Sequence, residues 1–268
     1  MIKNVLSIAG TDPTGGAGIH ADLKAFSAMG AYGMAAITAV VAQNTRRVRS
    51  FVPLDSSFVG EQIDTVFDDV RVDAVKIGMV ANPAIAEVIA ERLHRHKAEN
   101  VVLDPVMVAK NGDRLLDESA VAAIRDTLVP LATLITPNLP EAAVLLDTDE
   151  VTNAEQMEGQ ASWLRGLGCQ WALLKGGHLI NETVSVDYLA GANGITSYSS
   201  PRVDTVNDHG TGCTLSSAIT SLLPDYSVPE SVDRAKAYLQ GALVASDLLE
   251  VGQGHGPLNH FHQFWSHE

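Results

Sequence analysis

Cysteine is scarce in this chain of 268 residues: there are two, Cys169 and Cys213. Two thiols so far apart build neither a disulfide framework nor a zinc site. Positive charge is also short. Eighteen Lys and Arg stand against 32 Asp and Glu, a net charge of −14. A surface of that sign repels phosphate backbones, so neither nucleic acid nor an anionic membrane is expected as a partner. It leaves room for a phosphate ligand, because backbone N–H groups can gather around an anion inside an acidic protein. Long apolar runs are missing. The longest uncharged stretch, around Gly30 to Thr45, falls short of a membrane span and carries Gln43 and Asn44. The first apolar run is too short for a signal-peptide core and leads directly into a glycine-rich turn. A cytoplasmic location is the expectation. His94 and His96, and His255, His260 and His262, show no usual zinc spacing.

What is present reads as globular, with 46% hydrophobic and 19% charged residues. Strand-like runs fall at Val5–Ala9, Ala35–Ala42, Ala74–Ile77, Val101–Leu103, Thr133–Thr136 and Trp171–Leu174. Most are short and continuously apolar, as strands buried on both faces of a parallel sheet are. Helical patterns lie between them, over Ala17–Met29, Pro83–Arg95, Glu118–Leu128, Pro140–Leu146 and Glu155–Leu167. The alternation predicts a layered α/β fold with a mostly parallel sheet. Near residues 183–203 two alternating segments flank Gly191-Ala-Asn-Gly194, which predicts a small β-hairpin. Two further helices, Thr214–Leu223 and Pro229–Leu249, close the pattern. No Ser/Pro-rich linker, charge block or repeat divides the chain, so residues 1–268 are expected to form one domain.

Two glycine-rich segments carry the strongest chemical signal. Gly10-Thr-Asp-Pro-Thr-Gly-Gly-Ala-Gly18 follows a strand and opens a helix. No Gly-Lys-Ser/Thr follows, so it is not a Walker A loop. Gly16–Ala21 formally matches a dinucleotide fingerprint. However, the next strand ends in Gln43-Asn44, where a ribose-binding acid is needed. A bare tight turn is the other reading. The second segment is His209-Gly-Thr-Gly-Cys-Thr-Leu-Ser216. The N–H groups of Gly210, Thr211, Gly212 and Cys213 would lie unpaired at a helix start, a setting for an anion. Cys213 in that field is expected to have a lowered thiol pKa. The plain alternative is a glycine cap beside a small buried Cys.

Polar groups stand at nearly every strand end. They are Gln43, Gly78-Met79, Asp104, Asn138 with Glu141, and Lys175. Ligands of open α/β sheets bind beyond the carboxyl ends of strands. This assortment suits phosphoryl transfer: carboxylates and an amide for Mg²⁺, a lysine for phosphate charge, and backbone N–H groups for the migrating group.

The chain resembles the bacterial hydroxymethylpyrimidine and phosphomethylpyrimidine kinases of thiamine biosynthesis, within the ribokinase-like superfamily. The resemblance spans nearly the whole chain. It rests on Ala9–Gly18, Val41-Ala-Gln-Asn-Thr45, Lys76-Ile-Gly-Met79, Leu103-Asp-Pro-Val-Met107, Thr136-Pro-Asn-Leu-Pro-Glu141, Leu174-Lys-Gly-Gly-His178, His209-Gly-Thr-Gly-Cys213 and Gly252-Gln-Gly-His-Gly-Pro257. It implies a three-layer α/β/α fold, usually a homodimer, using ATP with Mg²⁺. It implies two successive phosphorylations, of 4-amino-5-hydroxymethyl-2-methylpyrimidine and then of its monophosphate. It also implies roles. Gln43 would bond the aminopyrimidine, with Gly10, Met79 and Val106 lining the ring pocket and Asp12 at the substrate edge. Asp104, Asn138 and Glu141 would organise Mg²⁺, and Lys175, Glu141, Thr211 and Gly212 would meet the nucleotide. Gly210–Cys213 would form an anion hole with Cys213 as base. The broad superfamily usually carries Asp at the Cys213 position; some pyridoxal kinases share the Cys. A pyridoxal or pyridoxamine kinase is therefore one rival reading. A non-catalytic pyrimidine or nucleotide sensor is another, and a dinucleotide oxidoreductase a third.

Overall fold

The computed structural model describes residues 1–107, 116–177, 179 and 183–265; His178, at the end of one motif, lies outside them. Ten strands form: β1 (Asn4–Ala9), β2 (Tyr32–Ile37), β3 (Ala39–Asn44), β4 (Arg47–Pro53), β5 (Ala74–Ile77), β6 (Val101–Leu103), β7 (Leu134–Ile135), β8 (Trp171–Leu174), β9 (Val184–Gly191) and β10 (Gly194–Pro201). Eight of them make one sheet in the order β10-β9-β8-β7-β6-β5-β1-β2. The pairs from β2 across to β8 are parallel, whereas β9 and β10 run antiparallel to their neighbours. The expected hairpin near residues 183–203 is thus an extension of the main sheet.

The helices are α1 (Gly18–Ala28), α2 (Ser56–Asp69), α3 (Pro83–Arg95), α4 (Glu118–Ala123), α5 (Leu139–Leu146), α6 (Ala154–Arg165), α7 (Thr211–Leu222) and α8 (Val228–Val244). Alternate strand residues divide between two half-cores, as the two-residue period of a strand requires. Leu6, Ile8, Val101, Leu103 and Ile135 pack with residues of α2 to α6. Val102, Leu134, Leu173 and Leu189 pack with residues of α1, α7 and α8. The result is the three-layer α/β/α arrangement.

Several boundaries differ from the sequence reading. The expected strand Ala35–Ala42 is two strands broken at Thr38. There the Thr38 hydroxyl donates to Met79 O at 2.7 Å and its N–H to Ala9 O at 2.9 Å, which turns the chain out over the sheet edge. β3 then pairs with β4 in a separate two-stranded sheet. Sequence reasoning missed β4, whose residues are largely exposed, and α2, whose apolar stripe is short. The expected helix Glu118–Leu128 continues past α4 as a π turn and a 3₁₀ turn, the latter containing Pro130, which lacks an N–H for a regular helix. α7 starts at Thr211, three residues before the expected start, and so places Cys213 in its first turn.

One buried ion pair braces the site from outside. The Asp187 carboxylate on β9 accepts the Gly176 N–H at 2.9 Å and the Lys236 ammonium of α8 at 2.6 Å. Both side chains are nearly inaccessible. The pair therefore fixes the turn that follows Lys175. Lys236→Met leaves Asp187 buried without its cation, which typically costs about 3–5 kcal/mol. Urea denaturation is expected to show that loss, and Asp187→Asn in the same chain should recover part of it.

Candidate active site

The parallel strands deliver their polar residues to one edge. Asp104 follows β6, Asn138 follows β7, and Lys175 follows β8. Lys175 pairs with Asn138 as an isolated bridge, its N–H donating to Pro137 O at 2.9 Å. The Lys175 ammonium reaches Asp104 Oδ1 at 3.1 Å. Asp104 also accepts from Thr136 at 3.1 Å and from Ser216 of α7 at 3.3 Å. Gly212 faces this pair so closely that a β-carbon there would stand 3.1 Å from Lys175 Nζ and 3.8 Å from an Asp104 oxygen. Lys175, Asp104 and the first turn of α7 therefore share one small space.

Among the described residues no side chain caps α7. Its N-cap, Gly210, has φ of +82°, and a β-carbon would lie 1.8 Å from Gly16 O, so only glycine fits. Thr211 spends its hydroxyl on Asp208 O at 2.6 Å. An uncapped first turn concentrates positive backbone dipole at the edge where Lys175 also points.

Glu141 and Asn138 form a capping box at the start of α5, each side chain accepting the other's N–H at 2.9 Å. The Asn138 carbonyl is thereby engaged within the protein. Among the described residues no group of three or more His, Cys, Asp or Glu is placed to hold a metal ion by itself. The oxygen donors at this edge are the Asp104 and Glu141 carboxylates and the Asn138 amide. That set fits a hard divalent cation that keeps most of its water.

Electrostatics separate the two acids. Burial pushes both carboxyls up, but Lys175 and Lys76 hold Asp104 below its ordinary value. Glu141 is raised to about 7 by burial and by the Asp104 charge, against the pull of Lys175. Lys175 is raised, since Asp104 and Glu141 outweigh its burial. Cys213 departs from the sequence expectation. Its thiol is pushed up to about 12, because burial and the charges of Asp104 and Asp22 overcome Lys76 and the Gly18 N–H. The helix terminus alone does not make it acidic.

The remaining expected residues gather on the β1 and β3 side. Gly10 follows β1, and a β-carbon there would touch Met79 Sδ at 3.4 Å and Val41 at 3.7 Å. Met79 is half-buried after β5, and Val106 is half-buried beyond β6 with its N–H on Asp104 O at 2.8 Å. Gln43 stands on β3 at a register shift of the β3–β4 pair. Asp12 is only 1% exposed. Its carboxylate accepts from Thr14 N and Oγ1 at 2.9 and 2.8 Å, from Ala17 N at 2.8 Å and from His209 Nε2 at 2.8 Å. Burial opposes its charge, but His209, Gln43 and Thr14 hold the carboxyl well below the usual range. Asp12 thus ties both glycine-rich turns together. The β3–β4 tip is tied down too. Gly254 N–H and His255 N–H reach Thr45 Oγ1 and O at 3.1 and 2.9 Å, Arg46 bonds Gln253, and His255 bonds Asp208 at 2.9 Å. Sequence reasoning left Lys76 and His209 without roles; a lysine inside the fully buried run Ala74–Ile77 was the available signal.

A mostly parallel α/β/α sheet with an uncapped helix start, a lysine and acids at its carboxyl edge defines a ribokinase-like phosphotransferase. The family model described as phosphomethylpyrimidine kinase matches residues 12–259, and the chain belongs to that family. It is similar to the hydroxymethylpyrimidine/phosphomethylpyrimidine kinase of Salmonella typhimurium, 54% identical over 98% of both chains. Among solved structures, it is similar to the ADP complex of Bacillus subtilis pyridoxal kinase, with TM-score 0.91 and 36% identity over 98% of this chain and 99% of that one. It is also similar to phosphomethylpyrimidine kinase from Clostridium difficile 630, with TM-score 0.80 and 42% identity over 90% of this chain and 99% of that one.

Glu141 gives a pH test. Its ordinary value is 4.5 and its folded value about 7, so the folded chain holds the proton more tightly. The stability this contributes is complete below about pH 4.5 and is lost as the pH rises through 7. Glu141→Gln keeps the capping oxygen and removes the titration. Urea midpoints should show the variant gaining on the parent between acid and alkaline pH, on the order of 1–3 kcal/mol. A pH-independent difference would contradict this assignment.

Proposed function

We propose that this chain transfers the γ-phosphoryl group of ATP to the 5-hydroxymethyl group of 4-amino-5-hydroxymethyl-2-methylpyrimidine, and then transfers a second to the monophosphate, supplying thiamine biosynthesis. The observation that carries the reading is the approach of Lys175 and Asp104 to the uncapped first turn of α7, which contains Cys213. Family membership supports the substrate.

In this reading Gly210, Thr211, Gly212 and Cys213 present backbone N–H groups to the migrating phosphoryl, and Lys175 offsets its charge. Thr211, Gly212, Lys175 and Glu141 border the nucleotide. Asp104 and Glu141 would hold Mg²⁺, with Asn138 acting through water because its carbonyl caps α5. Burial is the main reason the Glu141 carboxyl is raised, with the Asp104 charge adding to it against Lys175, and a cation there would favour the ionised form. When bound, Mg²⁺ would supply positive charge that offsets the negative charge of the nucleotide phosphates. Gln43 binds the aminopyrimidine, while Gly10, Met79 and Val106 line the ring pocket. Asp12 acts on that pocket by holding the turn beside it and Gln43.

In the first step the Cys213 thiol gives up its own proton to solvent and the thiolate then takes the alcohol proton, a role of about 10²–10⁴-fold in such reactions. With the thiol raised to about 12, little thiolate stands ready at rest. In the second step the acceptor is a phosphate monoester, whose second pKa is about 6. It is already mostly dianionic near pH 7 and needs little base. Cys213→Ala should therefore slow the first transfer far more than the second. Single-turnover assays of each step decide this, and equal losses would remove Cys213 from the proton path.

The likeness to a pyridoxal kinase over 98% of this chain favours testing vitamin B6 alcohols beside the pyrimidine. Phosphorus NMR with Mg-ATP and hydroxymethylpyrimidine, with pyridoxal in parallel, separates the readings. Monophosphate followed by diphosphate on the pyrimidine is expected. Product from pyridoxal alone would move the substrate, and ATP binding without transfer to either would favour a sensor. The same reading carries a cytoplasmic homodimer, to be checked by light scattering. Among the described residues no helix is long and apolar enough to cross a membrane.

A further inference from the structure

A second charged cluster lies beneath the anion hole, and no step above uses it. Lys76, in the middle of β5, has no exposed surface. Its ammonium is held by both oxygens of Asp22 at 3.0 Å. Ser7 donates to Asp22 Oδ2 at 2.6 Å, and Ser217 donates to Oδ1 at 2.8 Å. All four side chains are fully buried. Burying two charges costs several kcal/mol per ion, and a well-packed apolar pair often serves stability as well or better. Stability is therefore a poor account of why an ion pair stands here.

Its position suggests a better one. α1 and α7 pack side by side in matched register. At the upper level the Gly18 N–H faces the Cys213 sulfur. Four residues on in both helices, Ser217 reaches Asp22. Four residues are about one turn, or 5–6 Å along the helix. The Lys76–Asp22 pair therefore sits one turn below Cys213, between the helices and the sheet. The charged groups that face the thiol are Lys76 from β5, Asp22 from α1, Asp104 beyond β6 and Lys175 beyond β8. Lys76 exerts the strongest charge effect on the thiol; Asp104 and Asp22 oppose it less strongly. Lys76 acts on Asp104 in the same sense.

We propose that Lys76 is a positioning residue for Cys213: its buried ammonium supplies the positive field in which the thiol yields its proton, and Asp22 sets how much of that field reaches the sulfur. Its consequence for transfer rests on the reading of Cys213 as proton acceptor. The electrostatic relation itself is testable with no substrate present, because Cys213 is half-buried whereas Cys169 is 4% exposed, and the two lie on different peptides.

The experiment is the pH profile of iodoacetamide alkylation at Cys213 in the full chain, followed by mass spectrometry of the Cys213 peptide. Circular dichroism checks that each variant is folded. Asp22→Asn removes a negative charge and keeps the side-chain shape. Its profile should move to lower pH, with alkylation at pH 8 roughly three- to tenfold faster, as half a unit to one unit of thiol pKa implies. The double variant Lys76→Met/Asp22→Asn replaces the ion pair by neutral groups of similar size and removes the stronger positive effect with the weaker negative one. Its profile should move to higher pH, with alkylation slowed. A purely structural pair would loosen the site in both variants and speed alkylation in both. Shifts of the same sign, or no shift in either, would overturn the proposal. If the shifts appear while Cys213→Ala leaves both transfers intact, the field is real and only the base role falls. If Cys213→Ala cripples the first transfer while the profiles stay fixed, the function stands and this inference falls.

Discussion

The carboxylate of Asp12 is the constraint on which the site's geometry depends. Burial alone would neutralise it, yet Thr14, Ala17 and His209 surround it with donors, and it stays charged. Two of those donors belong to its own turn after β1, and the third belongs to the turn before α7. One anion thus holds together two segments far apart in sequence. With the turns so joined, Gly210 rests against Gly16, α1 and α7 run in register, and the first turn of α7 faces Lys175 and Asp104.

The site gives up local stability for that arrangement. A helix start without a cap forgoes about 1 kcal/mol of ordinary stabilisation. Glu141 is buried where its charge is unfavourable, and Lys76 and Asp22 are charges in a core that apolar residues would fill. Such departures from good folding practice are expected where structure serves a ligand. They are balanced by conventional packing elsewhere, with alternate residues of each strand locked between helices on both faces.

The layered fold was legible because doubly covered strands read as short apolar runs. Ala74–Ile77, Val101–Leu103 and Trp171–Leu174 have the bounds the pattern predicts. The strand-end residues Asp104, Asn138, Glu141 and Lys175 were legible for the same reason, since each follows a strand or opens the next helix. What escaped was whatever depends on tertiary partners. Thr38 interrupts a run that looks continuous, because its hydroxyl finds Met79 across the sheet. β4 presents mostly exposed residues and has no apolar period. The Cys213 thiol looked acidic from its place at a helix start, but burial, with acids from the β6 edge and α1, reverses that. His209 looked like part of a glycine cap, and only the folded contact reveals its bond to Asp12.

The hydrogen bonds between Thr45 and residues 253–255 have a bearing on how the protein is made. The tip of the β3–β4 hairpin is synthesised 208 residues before Gln253, which lies in the segment that fastens it. Domains generally fold as units during synthesis. The hairpin tip therefore waits unfastened while β5 to β10 of the main sheet are synthesised. It is secured only after the segment around Gly254 has been synthesised, which makes that closure a late step in the assembly of this two-stranded sheet.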